Sequence, residues 1–199
     1  MKNLLLFLIF FLVSNLVSCI PHYQSIPGED YKPDVAQPST ELSNAPPWVK
    51  SPGMEGGLSA IGISKIGAAG VSFAMTNAIA AARDELARSM EVKVKNLVKN
   101  FTEVTGVLDN ESVDKVATQT SRQAASQALI GSKHRDTWIS PSGQLYVLVV
   151  IDSNTLKQSA KTASISSLKN DNAAWQKFQA KKAFEELDRE IEKQFGNFR

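Results

Sequence analysis

Leu145-Tyr146-Val147-Leu148-Val149-Val150-Ile151 is apolar at every position. Successive side chains of a strand point to opposite faces, so an apolar run without alternation is buried on both faces and belongs in the middle of a sheet. Arg135 to Ser140 and Gln144 to Asp152 flank Pro141-Ser142-Gly143, whose composition is that of a short turn. This predicts an antiparallel hairpin whose second strand is central. One face of that strand is expected to receive helices. The other must be covered by more of this chain or by another molecule.

Upstream, folding is expected to begin near Pro46-Pro47-Trp48-Val49, and Leu58 to Ser64 reads as a first short strand between Gly56-Gly57 and Gly67. Gly62 and Gly67 have the spacing of a phosphate loop, but Ala68 and Ala69 follow instead of Lys and Ser or Thr. Close backbone packing and a turn account for these glycines. From Val71 to about Met90, Val71, Met75, Ala78/Ile79, Ala82, Leu86 and Met90 recur at helical spacing, in a run without Gly or Pro. Glu91-Val92-Lys93-Val94-Lys95 alternates, which predicts a half-buried second strand ending near Asn96 to Val98. A second helix is expected from about Glu111 to Ile130, capped by Asp109 or Asn110 and stopped by Gly131, with Val113, Val116/Ala117, Thr120, Ala124 and Ala128 inside.

Downstream, Asp152 is placed to cap a helix over Thr155 to about Ser167. Asp171 to Phe195 reads as one long helix with a stripe of Ala180, Phe184, Leu187, Ile191 and Phe195, flanked by Trp175 and Phe178. Lys181/Glu185, Lys182/Glu186 and Glu185/Arg189 stand at ion-pair spacing on its other side. The stripe either docks on the core or meets a partner helix.

The N-terminus carries an address. Lys2 precedes a ten-residue apolar run, Leu4 to Val13, too short to span a bilayer, and Ser14 to Ser18 forms a small-residue exit. An uncleaved membrane helix is disfavoured by Ser14, Asn15, Ser18 and Pro21. Leu16-Val17-Ser18-Cys19 instead resembles the bacterial lipobox, in which the cysteine thiol takes a diacylglyceryl thioether and becomes the mature N-terminus. Two or three acyl chains hold a protein stably at a membrane where one does so marginally. Ile20 rather than Asp follows the cysteine, which resembles sorting to the outer membrane. Ile20 to Asn44 holds Pro21, Pro27, Pro33 and Pro38 among polar residues, the composition of a tether, reaching on the order of 30 Å or more. The expected divisions are a signal peptide (1–18) and a lipidated tether (19–45), followed by ~150 residues that suit one domain with one core.

Reactive chemistry has little to build on. Cys19 is the single cysteine, and the two histidines, His22 and His134, stand far apart, so neither a nucleophile-base pair nor a metal site is expected. His134-Arg135-Asp136 echoes a kinase catalytic loop without the residues that should follow. Asp84 and Glu85 are adjacent on a helix and diverge, and Glu185 to Glu192 reads as a solvated face. Of 22 Lys and Arg, Lys2 is lost on cleavage, leaving 21 against 20 acidic residues, a balance that argues against a nucleic-acid partner. The expectation is no enzyme, no catalytic residue, no metal and no cofactor.

Several blocks together resemble one family, the LPP-twenty lipoproteins: a lipidated cysteine, Pro47-Trp48-Val49, Gly62 in a short strand, Ala78-x-x-Ala81-Ala82-Arg83-x-Glu85-Leu86-Ala87, Val92-x-Val94, then Trp138 and Gly143-x-Leu145-Tyr146-Val147-Leu148. The resemblance covers roughly Pro46 to Asp152 and so implies a family-like α+β domain (46–152) followed by a helical C-terminal extension (153–199). It implies an α+β fold of order β-α-β-α-β-β with a small, mainly antiparallel sheet and packed helices, to which this chain adds its long C-terminal helix. It implies no catalytic residues, and some relatives resemble flagellar outer-membrane components that build a disk or ring around the rod. The expected role is therefore structural or assembly work in the outer membrane, facing the periplasm, with self-association or an envelope protein as partner. The alternative is a periplasmic small-ligand-binding or hydrolytic module, which needs a pocket of convergent polar groups.

Overall fold

A computed structural model describes residues 41–54 and 56–196. The elements run α1 (Pro47–Lys50), β1 (Gly57–Lys65), α2 (Gly70–Thr105), α3 (Val113–Ile130), β2 (Lys133–Ile139), β3 (Gln144–Asp152), α4 (Ser153–Lys169), α5 (Asn172–Ala180) and α6 (Phe184–Phe195). The fold is α+β, a three-stranded antiparallel sheet of order β1-β3-β2 packed with helices. β3 is central, as its apolar run predicts. Leu145, Val147, Val149 and Ile151 face the helical core at 0–1% exposure, while Tyr146, Leu148 and Val150 are buried on the opposite face. Gly143 (φ 79°) closes the hairpin, its N–H donating to Ser140 O at 3.0 Å.

The strand expected at Glu91 to Lys95 does not form. α2 runs through it as one helix of 36 residues, about 54 Å long at the α-helical rise. The deciding pattern is the period of four: Ala74, Ala78, Ala82, Leu86, Met90 and Val94 are all buried, and Leu97, Val98 and Phe101 extend the stripe. A strand would put Val92 and Val94 on one face; here Val94 is fully buried and Val92 is 59% exposed. The apparent slip of alternation at Leu97-Val98 is the pair of inward positions that a helix presents each turn. α2 stops at Gly106, left-handed at φ 59°, whose N–H donates to Thr102 O at 2.7 Å.

α3 has Ser112 at its N-cap with no side-chain cap bond, so neither Asp109 nor Asn110 caps it; Asp109 instead closes the turn that leads into it. Asp109 Oδ1 accepts from Ser112 N–H at 2.8 Å, and Ala117, Thr120, Ser121, Ala124, Ala125 and Ala128 form its buried side. Bonds from Ser112 hold the Asp109 carboxyl below the usual aspartate range.

The single helix expected over Asp171 to Phe195 is two helices. Lys182 takes a left-handed conformation (φ 48°); its N–H donates to Gln179 O (3.1 Å) and Ala183 N–H donates to Phe178 O (3.1 Å). That bond pair is the Schellman arrangement, built here on lysine where glycine is usual. The break resets the helical phase. Ala180 is therefore exposed and Phe184 is 43% exposed, while Phe178, Ala183, Leu187, Ile191 and Phe195 point inward. It also replaces the expected ion pairs: Lys181 Nζ donates to Thr105 O, and Glu186 pairs with Arg189. Lys157–Glu192 (2.7 Å) and Lys161–Asp188 (2.6 Å) then tie α6 to α4.

Asp152 caps α4 as expected. Its Oδ1 accepts from Thr155 N–H (3.0 Å) and its Oδ2 from Thr155 Oγ1 (2.8 Å). The backbone bond from Thr155, followed by the side-chain bond, lowers the Asp152 pKa. Asp152→Ala is expected to cost about 1 kcal/mol of stability at neutral pH, measured by urea unfolding. A folded-state pKa below the unfolded one gives stability that is complete above the unfolded pKa and lost as pH falls through the folded one. The gap between wild type and Asp152→Ala should accordingly narrow in acid, below the ordinary aspartate range, and stay constant above it.

Candidate functional site

Leu16, Val17, Ser18 and Cys19, the residues assigned to cleavage and lipidation, lie outside the described residues, as does His22. The second face of the sheet is within them, and it is covered by the chain's own upstream segment. Ser142 Oγ, in the hairpin turn, donates to Glu41 Oε1 at 2.6 Å. Ser140 Oγ lies 3.2 Å from Ser142 Oγ and accepts from Gln144 N–H at 3.1 Å. Hydrogen bonds from Ser140 and then Ser142 hold the Glu41 carboxyl below the usual glutamate range. Tyr146, beneath, has its phenol pushed upward by burial and then by the Glu41 charge.

From this clamp the segment follows the sheet. Pro47 opens α1 with its fixed φ, and Val49 is buried as α1 packs on β3. Ser59 Oγ then donates to Pro52 O (2.6 Å), and Ser153 N–H donates to Gly56 O (2.7 Å). The strap thus begins beside the hairpin turn and ends where β3 passes into α4. With it in place, Tyr146, Leu148 and Val150 are 8%, 2% and 8% exposed. Trp138 of β2 packs its ring 5.2 Å from that of Tyr146. The flanking β1 residue Ile63 stays 49% exposed at the margin.

Among the described residues the chemistry-bearing side chains singled out in the sequence do not converge. His134 Nε2 is engaged by Asp136 O (3.1 Å) and Thr137 Oγ1 (2.7 Å) on the exposed edge strand, with no kinase-like neighbour. Glu85 is held by Arg88 at 2.7 Å, and both members of the Asp84-Glu85 step are exposed. Along α6, Glu186, Asp188 and Glu192 pair with Arg189, Lys161 and Lys157, and Glu190 departs from the solvated face altogether. Glu190 is 4% exposed, its Oε1 accepts from Lys193 at 3.2 Å, and its Oε2 has no hydrogen-bond partner. Among the described residues no group of three His, Cys, Asp or Glu is arranged to hold a metal, and no helix is long and apolar enough to cross a membrane.

The interior offers little room for a ligand where α2, α3, α4 and α6 meet. A void of about 10 Å³ is lined by Leu97, Phe101, Thr120, Ser164 and Leu187 among others, with Thr120 Oγ1 and Ser164 Oγ lacking partners. That is space for one water at most. The strap and its Glu41 clamp are what sequence reading passes over. Glu41 and Ser142 are 101 residues apart, and no periodicity links a carboxylate to a serine-bearing turn at that distance.

Residues 46–152 match the model of a protein family described as LPP20 lipoprotein, a span of just over half the chain. No curated protein matches significantly.

Proposed function

The chain belongs to the LPP20 lipoprotein family, and on that premise we propose that it is an outer-membrane lipoprotein, held by acyl chains on Cys19 and facing the periplasm, with a structural or assembly role in the cell envelope. Family membership points to a bacterial lipoprotein of structural type. The observation that carries the finer reading is the order of parts. A lipobox and a proline-rich stretch precede a fold in which Asp152 caps a helix, Glu41 clamps the hairpin turn and Lys157–Glu192 ties two helices, all structural uses of polar side chains. Residues 1–18 act as the signal peptide, and residues 19–45 lead from the lipid to the folded part. The protein is not an enzyme in this reading. The flagellar base, where the resemblance places some relatives while others have no assigned role, is one envelope machine in which its partners are to be sought.

Cys19→Ser tests the anchor. The wild-type protein should fractionate with the outer membrane and incorporate labelled palmitate, and the variant should lose both properties and appear in the periplasm. Retention of label and membrane location by Cys19→Ser would overturn the anchor assignment. In-cell cross-linking tests the role: anchored protein should capture itself and envelope subunits, whereas capture of nothing would overturn the assembly reading.

A further inference from the structure

The two edges of the sheet are built differently. β2 is interrupted by a bulge between His134 and Asp136 and presents Lys133, Arg135 and Asp136 to solvent. Charges and bulges of this kind keep a strand edge from pairing. β1 has no bulge and a single charge, Lys65, at its last position. Gly57 to Ser64 is uncharged and free of proline, and β1 pairs with β3 over nine residues without a shift in register.

The register also fixes which backbone groups of β1 face outward. Just beyond its two ends, Ser153 N–H donates to Gly56 O and Ile66 N–H donates to Gly143 O. Antiparallel pairs alternate between bonded and non-bonded, so the even-numbered residues of β1 bond β3. Ser59, Ile61 and Ile63 therefore aim their N–H and C=O groups at the open side. Among the described residues, β1 has no backbone partner outside β3.

We infer that this edge is a dimerisation edge, on which β1 pairs antiparallel with β1 of a second copy of the chain about a two-fold axis at Ile61. The inference deepens the assembly reading above and rests on it. A second copy fits because the edge is self-complementary. With Ile61 opposite the partner's Ile61, Ser59 falls opposite the partner's Ile63, so every outward-bonding residue meets another. Six strands then form one sheet, with the two second faces continuous and the half-exposed Ile63 side chain covered. The helices permit it. α2 lies over both β1 and β3, and its flank away from the core-packed Met75 and Ile79 carries exposed Phe73, Asn77 and Ala81. Asn77 and Ala81 are small enough for two such helices to lie side by side, and Phe73 (59% exposed) supplies apolar surface at the end of the stripe.

The test is oxidative cross-linking of the full-length protein in its membrane. Residues in a bonded antiparallel pair have Cα atoms about 5.5 Å apart, within disulfide reach. Ile61→Cys should give a disulfide dimer well above the wild-type background, and Thr137→Cys on the β2 edge should not. Mixed Ser59→Cys and Ile63→Cys proteins should cross-link to each other more than either does alone, which checks the register without altering Ile61. Ile63→Pro, which removes an outward N–H and leaves the β3 ladder intact, should abolish the Ile61→Cys dimer while the melting transition persists. No dimer above background from either Ile61→Cys or the mixed pair, equal dimer from Thr137→Cys, or a dimer that survives Ile63→Pro would overturn the inference. A membrane-bound protein that fails these tests leaves the anchored-lipoprotein reading standing; a protein absent from the membrane fraction sinks that reading instead.

Discussion

Gly62→Val is expected to abolish cooperative folding, seen as loss of the urea and thermal transitions of the wild-type protein. A Cβ at Gly62 would lie 1.7 Å from Ala78 O, 2.7 Å from Ala78 C and 2.8 Å from Ala82 N. All three are backbone atoms of α2, so no side chain can swing aside. The helix itself would have to lift from β1, and with it the contacts of Ala74, Ala78 and Ala82, each buried at 0–1% exposure. Ordinary overpacking by a methylene or two costs about 1–3 kcal/mol. A branched side chain driven into backbone costs more, against a total stability of roughly 5–15 kcal/mol. Gly67→Ala is the control: a Cβ there would meet nothing within 4 Å, and the change should stay within about 0.5 kcal/mol. A Gly62→Val protein with the wild-type midpoint would mean that β1 and α2 do not approach as described.

That contact was legible in the sequence. An isolated glycine in a strand followed by alanines at a spacing of four is the pattern of backbones in close approach, and β3 announced its central place by lacking alternation. The features that escaped have physical reasons. Glu91 to Lys95 satisfies strand and helix periods at once over five residues, and only the longer stripe from Ala74 to Phe101 resolves the ambiguity. The turn at Lys182 uses a left-handed lysine, so the usual glycine signal for a helix end is missing. Glu190 breaks the rule that a run of acidic residues is solvated, because it stands three residues after Leu187 and beside Ile191, on the inward side of α6. The strap over the second face depends on a contact between Glu41 and the hairpin turn, which local pattern cannot encode.

The C-terminal helices lie outside the span that matches the family, yet they share its core, and removing residues 153–199 is expected to leave a chain without a cooperative transition. Leu156, Ala160, Ala163 and Leu168 of α4, Phe178 of α5, and Leu187, Ile191 and Phe195 of α6 all belong to the same cluster as Leu97 and Phe101 of α2. Phe101 and Phe178 meet with ring centroids 5.9 Å apart, and Lys93 Nζ donates to Gln194 O at 3.1 Å. Each large apolar side chain contributes about 1.5–3 kcal/mol on burial, so losing the six large ones on these helices removes an amount comparable to the whole stability of a domain. The truncated chain should bind a hydrophobic dye strongly and lose near-ultraviolet circular dichroism. Phe178→Ala in the intact chain separates packing from chain length: it should cost about 3–5 kcal/mol in urea while the transition remains single. A truncated protein that unfolds at the wild-type midpoint would show instead that these helices rest on a finished core. Their buried stripe would then be free to engage another molecule, and the cross-linking partners of the anchored protein should be sought on α6 rather than on the sheet.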